Sequence, residues 1–164
     1  MGISEYIQSN YDNNAFWFEE EVKQGYHIQR ISNVLKNKDY LMRKHKILQR
    51  EDSQYKGKEY ITTKLILQTA KTILNFHNTY LLGKPLTLAG SENMVEKYDW
   101  IYYHGNYNNL DYKIIDKVNK YGDVGEYVYI DDGIIKSHII KPEDFYPVYD
   151  ANNNYIGCIE HWTD

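Results

Sequence analysis

Residues 80–90 read YLLGKPLTLAG, an apolar helical run that stops at Gly83-Lys84-Pro85 before a second apolar run begins. Glycine is the commonest left-handed helix terminator, proline cannot continue a helix, and the residue before proline is pushed toward extended geometry. The stretch therefore predicts a helix ending at Leu82, a left-handed cap at Gly83 and a strand starting over residues 86–88. Working backward, residues 59–82 read as one long central helix. Ile66, Ala70, Ile73, His77 and Tyr80 recur at four- and three-residue steps, and Leu65 and Leu81 widen the stripe. His77 on that stripe is expected to be a hydrogen-bonded core histidine rather than a metal ligand.

Further upstream, residues 13–40 carry Phe16, Val22, Ile28, Ile31 and Leu35 at helical spacing, with Glu19, Glu20 and Glu21 near the start, where the helix dipole favours acids. Gly25 weakens the middle, which leaves one helix or two shorter ones open. Residues 43–60 are polar and basic, with a turn at residues 55–58 and one short ordered piece at Ile47 and Leu48. Downstream of Gly90, Ser91 is an expected N-cap for a helix with Met94, Val95, Tyr98, Ile101 and Tyr102 on one face. Gly105 breaks that helix. Asn108 is expected to cap the next one, with Asp111 at the acid position of a capping box, and Gly122 ends it.

From Val124 the period changes to that of strands. Asp132-Gly133 between two β-rich runs is a strong hairpin signal, and DFYPVYD and NYIGCIEHW supply two more alternating runs. Helices first and a small antiparallel sheet second is an α+β order. The expected organisation is a single unit over 1–164, helical over 1–122 and β-rich over 123–164.

Composition narrows the function classes. The 164 residues carry a net charge of −4, unevenly spread: residues 41–71 hold eight basic against three acidic groups, and residues 72–164 hold seven against fourteen. A protein that binds nucleic acid by phosphate neutralisation is ordinarily basic overall. Only the middle of this chain is. Within it, Arg43, Lys44, Lys46 and Arg50 are the candidate contacts to a nucleic-acid backbone or an acidic partner; a solvated face is the plainer reading of such a run. The 18 Tyr against 4 Phe suit half-buried surfaces and interfaces, or reflect the codons of an AT-rich genome. The single cysteine, Cys158, excludes an internal disulfide or a multi-cysteine metal site and suits a reducing compartment. With no signal peptide and no spanning apolar run, a soluble cytoplasmic protein is expected.

No catalytic signature emerges. There is no Gly-rich phosphate loop, no HExxH and no nucleophile elbow. Asp131-Asp132 and Glu143-Asp144 sit where turns favour acids for backbone reasons. No enzyme, no cofactor and no metal are expected.

Four stretches, in order, resemble the phage portal proteins typified by the SPP1 portal: YLMRKHKILQRE, LILQTAKTILNFHNTYLLGKPLTL, VNKYGDVGEYVYIDDG and IIKPEDFYPVYD. The resemblance covers residues 40–150 and implies a structural role. Family members form rings, commonly dodecameric, at one capsid vertex. Double-stranded DNA passes through the ring without sequence recognition, driven in by the terminase and released later to the tail. The implied partners are other portal subunits, terminase, capsid or scaffold proteins and head-tail adaptors, with no membrane. The implied location is the virion vertex, with assembly in the host bacterial cytoplasm. A slightly acidic chain suits a conduit that must not grip DNA. Portals of this type are far longer, and the matching part resembles the N-terminal wing, without the stem, clip and crown. A portal-derived interaction module, interfering with phage assembly or sensed by host immunity, is the alternative expectation.

Overall fold

Six α-helices and three antiparallel hairpins make up residues 2–162, the part of the chain described by this computed structural model. In order they are α1 (Ile3–Tyr11), α2 (Trp17–Glu21), α3 (Gly25–Leu41), a 3-10 turn (Lys46–Gln49), β1 (Ser53–Tyr55), β2 (Lys58–Tyr60), α4 (Thr69–Leu82), α5 (Glu92–His104), α6 (Tyr107–Tyr121), β3 (Gly125–Asp131), β4 (Ile134–Ile140), β5 (Phe145–Tyr149) and β6 (Tyr155–Glu160). The α+β class is as expected. In place of one small sheet, the structure has three separate two-stranded ones, and the first lies inside the half expected to be helical.

The hairpins form where turn chemistry is local. Asp132 and Gly133 both adopt left-handed backbone (φ 49 and 75), which pairs Asp131 with Ile134 across a tight turn. Lys56 and Gly57 (φ 51 and 73) close β1 on β2 in the same way. β5 and β6 are joined through Asp150, whose carboxylate accepts the backbone N–H of Asn152 and of Asn154, each at 2.9 Å. Helix α6 is the hub: α3, α4, α5 and β4 all pack on it. The buried hydrophobic residues are Val34 of α3, Ile140 of β4, and Phe145 and Val148 of β5. The Phe145 ring lies so close to Gly125 that an added Cβ would stand 2.5 Å from it, so glycine is required there for packing rather than for its backbone angles.

Several expectations need correction. The helix over 59–82 shrinks to α4, because β2 and an extended segment occupy residues 58–68. Thr62 ties that segment back, its N–H donating to Asp52 Oδ1 at 2.8 Å and its hydroxyl to the Glu51 carbonyl at 3.1 Å. The inward line on α4 is the buried Asn78 with the half-buried Ala70, Leu74 and Leu82, a pure four-residue rhythm, so the face lies about one residue away from the stripe read in the sequence. His77 is exposed, and the buried polar side chain is its neighbour Asn78. Residues 86–88 have no regular structure, with Leu86 and Leu88 exposed, so no strand forms. The residue-13–40 helix is split into α2 and α3, the second of the two options. Ser91 stands at the N-cap position of α5 without a side-chain cap bond, and α6 starts at Tyr107 after a left-handed Asn106, so Asn108 is not a cap. Gly122 ends α6 as expected, at φ 95.

Gly83 is not a left-handed cap. Its backbone is right-handed helical (φ −65, ψ −13), and Cβ in its place would stand 2.5 Å from the Thr79 carbonyl oxygen. The need for glycine is thus steric. Gly83→Ala is expected to cost about 1–2 kcal/mol, through a shift of the last α4 turn. Pro85→Ala should cost less and Lys84→Ala close to nothing, since both lie beyond the last helical turn. Urea melts of the three variants check the ordering; a most-damaging Lys84→Ala would refute it.

Candidate functional site

Helix α3 is fixed to the β-rich half by two basic side chains. Arg30 forks onto Asp123, Nε to Oδ2 at 2.6 Å and Nη2 to Oδ1 at 2.7 Å, while Nη1 donates to the Phe145 carbonyl at 2.6 Å. Its guanidinium also stands 5.4 Å from the centre of the Phe145 ring. Two turns on, Lys38 Nζ meets Glu143 Oε1 at 2.5 Å. Burial would raise the Glu143 carboxyl, but the Lys38 ammonium overcomes it and holds the group below the usual carboxylate range. Glu143, read as a turn residue from the sequence, is therefore an ion-pair anchor as well.

The basic candidates lie on the connection that leaves α3. Arg43 is left-handed (φ 65), and Lys44 bonds Asp39 Oδ1 at 2.9 Å, which neutralises one of the four charges. Lys46 sits in the 3-10 turn and Arg50 just after it. All four are exposed, and Arg43, Lys46 and Arg50 have no carboxylate partner among the described residues. His45 is turned inward against Tyr40, ring centres 4.3 Å apart. The structure thus presents three free cations at the end of a braced helix.

A cluster invisible in the sequence surrounds Glu21. Its carboxylate is fully buried and accepts the hydroxyls of Tyr6 (3.0 Å), Tyr11 and Tyr26, with His27 Nε2 at 3.2 Å. Burial raises the carboxyl's proton affinity, but the bonds from Tyr11, Tyr26, Tyr6 and His27 more than reverse this, so it is held below its ordinary range. Burial, and then the Glu21 carboxylate, push all three phenols up. Burial pushes His27 down and keeps it neutral; its Nδ1 is enclosed without a partner. The run Glu19-Glu20-Glu21 looks like dipole-stabilising acids, yet the third of them turns inward. The available signal was tyrosine on both sides of it.

A second, partly buried network joins α4 to α6. Asn78 Nδ2 donates to Asp116 Oδ1 at 2.8 Å, Asn119 Nδ2 donates to Asn78 Oδ1 at 2.7 Å, and Lys120 Nζ meets Asp116 Oδ2 at 2.7 Å. Beside it, a groove of about 600 Å³ runs between residues 86–88, α5, α6 and the β3–β4 hairpin, walled by Leu86, Leu88, Ile114 and Val128. Asp111 accepts the Tyr102 hydroxyl within it, and burial together with that bond pushes Tyr102 up to about 12. Asp111 therefore serves α5 rather than a capping box.

The side chains described tie one element to another. They form a braced scaffold that leaves large apolar side chains outside: Ile73, Phe76 and Tyr80 on α4, and Met94 and Tyr103 on α5, are all more than half exposed. No helix among the described residues is long and apolar enough to cross a membrane. No curated protein and no solved structure matches the chain. The family profile described as "Phage portal protein, SPP1 Gp6-like" matches residues 20–164, and with so much of its length covered the chain belongs to that structural family of phage portal proteins.

Proposed function

We propose that the chain acts as the wing portion of a phage portal, in the ring at the capsid vertex through which double-stranded DNA is packaged and ejected. The family match over residues 20–164 carries this reading. The exposed apolar side chains of α4 and α5 support it, since uncovered apolar surface of this extent marks contact with other protein. In this reading the neighbours are other portal subunits, with terminase, capsid or scaffold proteins and a head-tail adaptor at the edges of the ring. Assembly takes place in the host cytoplasm. The free cations Arg43, Lys46 and Arg50 are assigned to contact with an acidic partner surface, with Lys44 held back by Asp39.

Co-expression with a full-length portal of the same family tests the proposal. Mixed rings that still package DNA are expected. Mixed rings that no longer package would favour the interfering module, and absence of any association would remove the portal role. Alone, the chain is expected to scatter light as a monomer or weak oligomer, because a ring must close through heterologous contacts of substantial area. A stable dodecamer at micromolar concentration would contradict this.

The triple variant Arg43→Gln, Lys46→Gln, Arg50→Gln should leave the urea midpoint within about 0.5 kcal/mol of the parent, as exposed substitutions do, and reduce incorporation into rings. Unchanged incorporation would return these residues to a solvated face.

A further inference from the structure

Helix α1 lies ahead of the family match, which begins at residue 20. It is nine residues long and contains no buried residue, and its first turn is tied locally by Glu5 Oε2 accepting the Gly2 N–H at 3.1 Å. A helix this short is not stable in water on its own. What holds it is polar: the Tyr6 and Tyr11 hydroxyls on the buried Glu21 carboxylate, with Gln24 Nε2 reaching the Tyr11 oxygen at 3.5 Å. The Trp17 ring lies 6.4 Å from that of Tyr6 and 5.9 Å from that of Tyr11. At its other end, Ile3 Cδ1 stands 3.7 Å from where a Cβ on Gly157 of β6 would be. By contrast, α3 has its own ties to Asp123, Glu143 and Phe145, none of which involves α1.

We propose that α1 is a strap latched by the ionised Glu21 carboxylate, and that protonation of Glu21 releases it, uncovering Trp17 and the Gly157 face of β6 while α3 and the elements after it stay folded.

The chemistry lies in the count of donors. A carboxylate has room for four donors on its two oxygens, and here it receives three phenols and one imidazole. A carboxylic acid keeps one proton of its own, which must be donated. Its remaining acceptor capacity makes only neutral bonds, roughly half as strong as those to the anion. Tyr26 and His27 come from α3 and remain in place through the helix. The two bonds that α1 contributes are the ones free to leave.

The groups facing Glu21 are Tyr6 and Tyr11 of α1 and Tyr26 and His27 of α3, with Arg30 acting on His27 from the next turn and the Tyr146 ring 5.2 Å from it. Their pH signs agree. Glu21 is held below its ordinary 4.5, so its contribution is complete above that value and is lost as pH falls through its lowered one. His27 is held below 6.5, so its neutral form is favoured by folding and begins to cost stability as pH falls below that value. At the alkaline end the phenols lie above their ordinary 10.0, and the latch weakens only as pH rises beyond that. The strap is therefore closed through the neutral range and opens on acidification.

Hydrogen exchange read by mass spectrometry on the full chain, corrected for intrinsic rates, tests this. Well below pH 4.5, residues 3–11 are expected to exchange as an unstructured peptide while residues 28–41 stay protected. The double variant Tyr6→Phe, Tyr11→Phe should show the same pattern at pH 7, with protection of residues 3–11 down about a hundredfold, tenfold per lost hydroxyl. Glu21→Gln should make the exchange of residues 3–11 independent of pH. Loss of protection by residues 3–11 and 28–41 in a single step on acidification would overturn the proposal. So would undiminished protection of residues 3–11 in the double phenylalanine variant.

Discussion

Arg30→Met is expected to lower the unfolding free energy by about 3 kcal/mol, the loss of charge-assisted bonds with a buried carbonyl left unpaired. The Arg30 side chain is 18% exposed and that of Asp123 37%, so the pair is partly screened and the loss should fall short of that for a dry ion pair. Methionine keeps an unbranched apolar side chain but loses the guanidinium over the Phe145 ring along with the hydrogen bonds. Asp123→Asn removes the charge but preserves a carbonyl acceptor and should cost about half as much. Urea melts of the two single variants and the double give the coupling energy. A loss below about 1 kcal/mol for Arg30→Met would mean that packing and the Lys38–Glu143 pair hold the β-rich half to α3 without the Arg30 fork.

Asn78→Leu is the second large effect, again at about 3 kcal/mol. Asn78 is fully enclosed, and both ends of its amide are used, one by Asp116 and the other by Asn119. Leucine has the same branching and the same number of side-chain heavy atoms but is bulkier, so the cost combines two stranded polar groups with some overpacking and no cavity. The thermal midpoint should drop by several degrees. An unchanged midpoint would indicate that water satisfies Asp116 and Asn119 and that the α4–α6 contact is apolar.

What the sequence disclosed follows from the range of the interactions. Gly122, Asp132 and Gly133 were legible because a left-handed residue is specified by its own chemistry and that of its nearest neighbours. The Lys56-Gly57 turn belongs to the same class, and the 3-10 turn at Ile47 and Leu48 is likewise local. The face of α4 was misread because Ile73, His77 and Tyr80 mimic a buried stripe, whereas the buried residue is an asparagine whose partners come 38 and 41 residues later. Gly83 stops the helix for lack of a side chain, at ordinary helical angles, so the position was right and the cause was not. Of the basic candidates, Lys44 was matched to Asp39 only by the fold. Glu21 was hidden because a run of three acids at a helix gives no sign of which one turns inward.

The braces of α3 also set a timetable for the growing chain. Arg30 and Asp123 are 93 residues apart, and Lys38 and Glu143 are 105 apart. At about 5–20 residues per second on the ribosome, Arg30 waits roughly 5–20 s for its carboxylate to be made. The hairpins close within themselves and α4 finds α6 within about half that span. The β1–β2 hairpin and the α4–α6 contact are therefore complete in sequence before the carboxylates that lock α3 have been made. A ribosome stalled before Asp123 would carry an α3 whose main docking surface is α6, with the positive end of its clamp exposed to any acidic surface nearby.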